Sequence, residues 1–161
     1  MAVLSSVDLV TIAKEVTAEM VPGALAQDID LGFEGPDVAQ VAADPILLAE
    51  FLRNLVSNAI SHAGRGAVVT VRIRQSPQEI VLEVEDDGPG LSPEQMAAAV
   101  QSRRGSSRPL PNMQKGQASG MGLGLAVAVE ISELFGAKLR LDTARSGSGL
   151  LATITFAPYT K

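Results

Sequence analysis

The stretch AVVTVRIRQSPQEIVLEVED, residues 67–86, constrains the fold more than any other part of the chain. AVVTVRIRQ and EIVLEVED have the composition of strands, and SPQ at Ser76–Gln78 reads as a hairpin turn between them. A second hairpin is predicted near the end, where AKLRLDTA and LLATITFAP flank RSGSG. Helices separate these hairpins from the rest. VDLVTIAKEVTAEM carries a helical stripe of Leu9, Ile12, Ala13 and Val16, with Asp8 as N-cap and Pro22-Gly23 as the stop. Asp44 as N-cap and Pro45 at the first position open a helix over 45–63 that Gly64 closes. A short helix is predicted at PEQMAAAVQ and another over GLAVAVEISELFG, ending at Gly136. DIDLGFEG alternates Ile29, Leu31 and Phe33 inward as a strand, and DVAQVAA is a weaker strand. Helices mixed with antiparallel hairpins predict a two-layer α/β sandwich, a mixed and mostly antiparallel sheet with helices on one face. Regular βαβ alternation is missing, which disfavours a doubly wound nucleotide fold. No internal repeat or linker divides residues 1–161, so a single domain is expected.

Composition narrows the function. Hydrophobic residues make up 46%, enough for a core, but aromatics only 3%, which argues against a module that stacks bases. A net charge of -5 argues against general binding to nucleic acid or to an anionic membrane. The absence of cysteine excludes disulfides and thiolate metal sites and fits a reducing compartment. No apolar run reaches the ~18 residues of a membrane span, and the start lacks a basic signal-peptide region. A soluble, cytoplasmic domain is expected, equally one that belongs to a membrane-anchored parent.

FLRNLVSNAISHAG, residues 51–64, places Asn54, Asn58 and His62 four residues apart, on one stripe of an otherwise apolar helix. Neutral amide oxygens suit a hard cation whose charge is already met by phosphates; His62 would reach a phosphate, or simply cap a buried polar contact. DDGPGL is a turn by composition. At the end of a buried strand, however, Asp86 would accept a hydrogen bond from an exocyclic amine such as that of adenine. The glycines beside it leave the backbone open to a flat ligand. GMGLGLAVAV puts Gly120, Gly122 and Gly124 before a helix, where free N–H groups and the helix dipole suit phosphate. Its spacing matches neither the dinucleotide fingerprint nor a Walker loop. Between these motifs the basic residues are Arg103, Arg104, Arg108 and Lys115, with no acid from 101 to 117. They are either a solvated surface or a cover for a polyphosphate.

Taken together, NLVSNAISHA, DDGPG and GMGLGLAVAVEISELFGAKLRL resemble the asparagine box and two glycine boxes of sensor histidine kinases. These kinases are a branch of the GHKL superfamily, whose ATP-binding domain has the Bergerat fold. The resemblance spans nearly the whole chain, including VAADPILLAEFLRNL and SGSGLLATITFAP. It implies an α/β sandwich holding Mg-ATP under a flexible lid, here about 91–119. By position it makes Asn58 the magnesium ligand, with Asn54 beside it. Asp86 becomes the adenine reader, and Gly88 and Gly90 its wall. The segment Gly120, Met121, Gly122, Leu123, Gly124 and Leu125 anchors the lid and meets phosphate. Ser61 and His62 complete the cofactor-binding set, and Ser61 stands where a basic residue is common. That shifts phosphate contacts to Arg103, Arg104 or Arg108, which with Asn54 are the candidate catalytic residues. The phenylalanine-rich box usual between the glycine boxes is not found.

His62 is the only histidine and lies inside the ATP motif, so the phosphoacceptor must come from a separate helical dimerisation domain, with a response regulator downstream. Gyrase-type ATPases of the superfamily carry a catalytic Glu where this chain has Asn54, so efficient hydrolysis is not expected; Glu50 lies one turn too early. The rival readings are another GHKL ATPase, a serine kinase of the anti-sigma type, and a nucleotide sensor without transfer activity.

Overall fold

The computed structural model describes residues 4–99 and 123–159. In chain order it contains β1 (Ser5–Asp8), α1 (Leu9–Ala26), β2 (Asp30–Glu34), β3 (Gln40–Ala43), α2 (Pro45–Ala63), β4 (Val68–Gln75) and β5 (Ile80–Asp86). It continues with α3 (Pro93–Ala99), α4 (Leu123–Leu134), β6 (Lys138–Thr143) and β7 (Leu150–Phe156). Five strands form one sheet in the order β2-β4-β5-β7-β6; β1 and β3 form a separate antiparallel pair. Only β2 and β4 run parallel, and β4, β5, β7 and β6 are antiparallel neighbours, so the expected mixed sheet is what forms.

Strand alternation divides the sheet into two unlike faces. Val69, Val71 and Ile73 of β4 lie opposite Asp86, Val84 and Leu82 of β5. Together with Ala152, Ile154 and Phe156 of β7, their apolar side chains are buried in the core. Leu48, Phe51, Leu52, Leu55 and Val56 of α2, Leu9, Val10, Ala13 and Val16 of α1, and Leu125, Ala128 and Ile131 of α4 fill the same core. The opposite face carries Arg72, Arg74, Glu83 and Glu85, joined by ion pairs.

The helix ends follow local chemistry. Asp44 caps α2, its Oδ1 accepting from the N–H groups of Ile46 at 2.9 Å and Leu47 at 3.1 Å, and Gly64 at φ 87 terminates it. Gly136 at φ 68 closes α4. There the N–H of Ala137 donates to the Ser132 carbonyl and that of Gly136 to the Glu133 carbonyl.

Two expectations need correction. α1 does not stop at Pro22-Gly23 but runs to Ala26. Proline removes the bond to the carbonyl four residues earlier. Here Pro22 and Ala18 both lie on the exposed side, where water can meet that carbonyl, while fully buried Ala24 holds the last turn in place. The chain before α1 also forms β1, a strand the sequence reading did not anticipate. Its last residue, Asp8, caps α1 through Val10 at 3.1 Å and also accepts from the Ala39 N–H at 2.9 Å, tying α1 to the segment leading into β3.

Candidate functional site

β5 is flanked by β4 and β7 and buried along most of its length. Alternation from Ile80 through Leu82 and Val84 brings Asp86 to the helix-facing side at the end of the strand. The residue is 4% exposed. The N–H of Gly88 donates to Oδ1 at 2.9 Å and that of Leu150 at 3.3 Å. Among the described residues nothing donates to Oδ2, which leaves half of a buried carboxylate available to a ligand. Burial raises the pKa of this carboxyl above the ordinary aspartate value. The two N–H donors pull it part of the way back, the charge of Asp87 adds to the rise, and His62 opposes it.

The loop after Asp86 is shaped by close approach. A Cβ at Gly88 would stand 2.5 Å from the Ala63 carbonyl oxygen, so the loop lies directly against the end of α2, and only glycine fits there. Asp87 turns outward, and its Oδ1 accepts from the Val68 N–H at 2.8 Å. On the other side Gly90, at φ 74, abuts Gly149 of the β6–β7 turn, and Ser148 Oγ donates to the Gly88 carbonyl at 2.7 Å.

The polar stripe of α2 runs along the helix whose last residue, Ala63, lies against this loop. Asn58 is 8% exposed, yet among the described residues its carboxamide makes no hydrogen bond. Among the described residues, the Thr17 hydroxyl is the only buried side-chain polar atom without a partner, so the Asn58 amide atoms still reach the surface. A largely buried carboxamide that still reaches the surface, with no hydrogen bond among the described residues, suits an external ligand. One turn earlier, Asn54 Nδ2 donates to the Glu50 carbonyl at 3.0 Å, which orients its Oδ1 away from the helix backbone. Glu50 itself faces Arg53 at 3.6 Å. His62 is half-buried and close enough to bear on the Asp86 charge; Ser61 is exposed. No cluster of three His, Asp or Glu side chains that could hold a metal occurs among the described residues. A cation here would draw on carboxamide oxygens and on those of its ligand.

The structure thus brings together the end of α2, Asp86, Gly88 and Gly90. Arg103, Arg104, Arg108, Lys115, Gly120, Met121 and Gly122, with most of the expected lid, lie outside the described residues. Leu123 and Gly124 open α4, and Leu125 is buried in the core, so a ligand would meet only its backbone. Sequence reasoning missed Ser148, Gly149 and the Leu150 N–H. SGSG ahead of a strand looked like an ordinary turn, and a backbone donor carries no side-chain signature.

Residues 43–160 match the family of histidine kinase-, DNA gyrase B-, and HSP90-like ATPases. The chain belongs to this family. Among relatives, the sensor protein kinase PmrB of Pseudomonas aeruginosa is 32% identical over 155 residues, covering 96% of this chain and 31% of that protein. The signal transduction histidine-protein kinase AfsQ2 of Streptomyces coelicolor is 32% identical over 146 residues, covering 89% of this chain and 25% of that protein. The chain therefore spans about a third or less of these relatives. The fold agrees. A mycobacterial sensor histidine kinase, MprB, superposes with a TM-score of 0.77 at 24% identity, covering 99% of this chain and 100% of that one. The histidine kinase ThkA in complex with the response regulator TrrA gives 0.76 at 19% identity, covering 97% and 42%. This α/β sandwich is the architecture of histidine kinase catalytic domains.

Proposed function

We propose that this chain is the ATP-binding catalytic domain of a two-component sensor histidine kinase, which presents Mg-ATP to a histidine on a separate helical dimerisation domain. The observation that carries the reading is Asp86: a buried carboxylate with Oδ1 fixed by two backbone donors and, among the described residues, no donor to Oδ2. An adenine amine would donate to Oδ2, and a base offering a carbonyl there would leave the carboxylate unpaired against an acceptor. Gly88 and Gly90 keep side chains off that wall. Asn58, with Asn54 a turn away, would hold magnesium through neutral oxygens. His62, Ser61 and Arg103, Arg104 and Arg108 would face the phosphates, and the backbone from Gly120 to Leu125 would complete their cradle.

ATP supplies the transferable γ-phosphoryl group. The protein's part is to position it and offset its charge, as phosphoryl transfer requires. With a carboxamide at Asn54 that is already bonded to the Glu50 carbonyl, no carboxylate is in place there to activate water, which favours transfer over hydrolysis. The acceptor histidine would belong to another domain, because His62, the one histidine of this sequence, is assigned to the nucleotide site. A response regulator would take the phosphoryl group next. The sheet-and-helix layers include no helix, among the described residues, long and apolar enough to cross a membrane. We assign the domain to the cytoplasm, without membrane or nucleic-acid contact of its own.

Calorimetric titration with Mg-ATP tests the reading. An Asp86→Ala variant that keeps its fold loses affinity by about 100-fold, the scale of one charged hydrogen bond at a buried site. Undiminished binding by that folded variant overturns the assignment of adenine to Asp86.

A further inference from the structure

The turn that walls the site on the β7 side is held from the opposite face of the sheet. Glu83 lies on the outer face of β5, yet it is only 1% exposed. Its carboxylate takes Arg72 at 2.8 Å on Oε1 and Arg74 at 2.5 Å on Oε2. Arg145 adds a two-pronged grip, Nη1 to Oε1 at 3.1 Å and Nη2 to Oε2 at 2.8 Å. Arg145 alone of the three belongs to the β6–β7 turn, and its own backbone N–H donates to Glu85 Oε2 at 2.7 Å. A few residues on, the same turn sends the Ser148 hydroxyl to the Gly88 carbonyl and the Leu150 N–H to Asp86.

Strand alternation puts Glu83 and Glu85 on one face of β5 and Asp86 on the other. The turn therefore clasps the end of the strand from both sides: Arg145 on the charged face, Ser148 and Leu150 on the ligand face. Between the two grips lies SGSG, with Gly147 at φ 93 and Gly149 at φ 112. Such a segment has wide conformational freedom unless its ends are fixed. Its other local bonds are few: Gly147 N–H to the Ala144 carbonyl, Ala144 N–H to the Gly149 carbonyl, Ser146 Oγ to the Ser148 carbonyl, and Ser148 N–H to Ser146 Oγ.

We propose that Arg145 is a positioning residue for base recognition, setting the β6–β7 turn so that the Leu150 N–H fixes Asp86 Oδ1 and leaves Oδ2 aimed at the base. The proposal rests on the assignment of adenine to Asp86. Arg145 touches no ligand; it acts through the turn. Arg74 provides the internal control, since it pairs with the same Glu83 oxygen as Arg145 Nη2 but belongs to β4 and holds no part of the turn.

The test compares Mg-ATP with Mg-ITP, whose base carries a carbonyl in place of the amine, by calorimetry on the whole chain and its variants. Arg145→Ala weakens Mg-ATP by about tenfold, the scale of lost preorganisation, and narrows the ATP-over-ITP preference by a similar factor. Arg145→Lys, which keeps the charge but loses the fork, falls between wild type and Arg145→Ala. Arg74→Ala leaves the preference unchanged. Circular dichroism confirms that each variant is folded; should Arg145→Ala not fold, Arg145→Lys carries the comparison. An unchanged ATP-over-ITP preference in the folded Arg145 variants, or an equal loss in Arg74→Ala, overturns the proposal. The underlying assignment fails separately, if folded Asp86→Ala keeps the wild-type preference.

Discussion

The backbone N–H of Leu150 donates to Asp86 Oδ1 at 3.3 Å, joining the last strand to a carboxylate 64 residues earlier. With the Gly88 donor it holds an anion in place at a site whose burial opposes the charge. The balance of the two sets how the site responds to acid.

Burial leaves the Asp86 pKa above the ordinary value, so the carboxylate protonates at a higher pH than an exposed aspartate would. An amine donor needs the ionised form. Mg-ATP affinity should therefore decline as the pH falls, beginning at a higher pH than for an exposed aspartate, and the decline should be absent in Asp86→Asn. Calorimetry across pH 4–7 reads both, after the ionisation of ATP itself is taken into account. A flat wild-type profile would contradict the role given to the charge.

The same shift has an opposite consequence for stability. A raised folded pKa means the folded state holds the proton more tightly than the unfolded chain does. Asp86 therefore supports the fold at low pH, and that support is lost as the pH rises through its folded pKa. At neutral pH Asp86→Asn, which keeps an oxygen for the Gly88 and Leu150 donors, should stabilise the ligand-free protein by about 1 kcal/mol while weakening ATP. Chemical denaturation at pH 7 measures it; a less stable variant would show that the ion belongs there for structural reasons.

Glu83 behaves in the reverse sense. Burial pushes its pKa up, but Arg145, Arg72 and Arg74 outweigh that and hold it at about 2, against 4.5 when free. Its contribution is present in full above pH 4.5 and disappears as the pH falls through about 2. Glu83→Gln should destabilise the protein by about 3 kcal/mol at pH 7, because it strips the carboxylate from three guanidinium groups. Its acid-unfolding curve should also be flatter than the wild-type curve between pH 4.5 and 2.

Asn58→Ala should bind ATP with little dependence on magnesium, whereas the wild type gains about tenfold or more from the cation. Titrations with and without excess chelator make the comparison. An equal magnesium effect in both proteins would remove Asn58 from the cation site.

Gly147 and Gly149 both have positive φ, but only Gly149 is crowded: a Cβ there would collide with the Asp86 carbonyl oxygen, while Gly147 has open space. Gly147→Ala should cost about 1 kcal/mol from backbone strain alone, and Gly149→Ala at least about 3 kcal/mol. Thermal unfolding ranks the two, and a reversed order would mean the turn is free to move off β5.

How much of this could be read from the sequence depended on whether the signal was local. The bounds of α2 were legible because Asp44-Pro45 and Gly64 act within one turn of the helix ends. Asp86 stood out because a carboxylate ended an apolar strand and glycines followed. α1 was cut short because Pro22 was judged without knowing that its side of the helix faces water. β1 was missed because Ser5–Asp8 has no apolar alternation and is a strand only through pairing with β3, at Ser5 with Ala43 and Val7 with Val41. Glu83 carries no local signal in the sequence; its burial comes from arginines on β4 and on a turn 62 residues away.

Because β5 sits between an earlier neighbour, β4, and a later one, β7, the proposed nucleotide wall is complete only once residue 150 has been made. A nascent chain that has emerged as far as α4 has Asp86 but no Leu150 amide to steady it, and an open edge along β5. On the proposed assignment, ATP has no complete site with which to template early folding and favours only molecules whose β6–β7 hairpin has already docked.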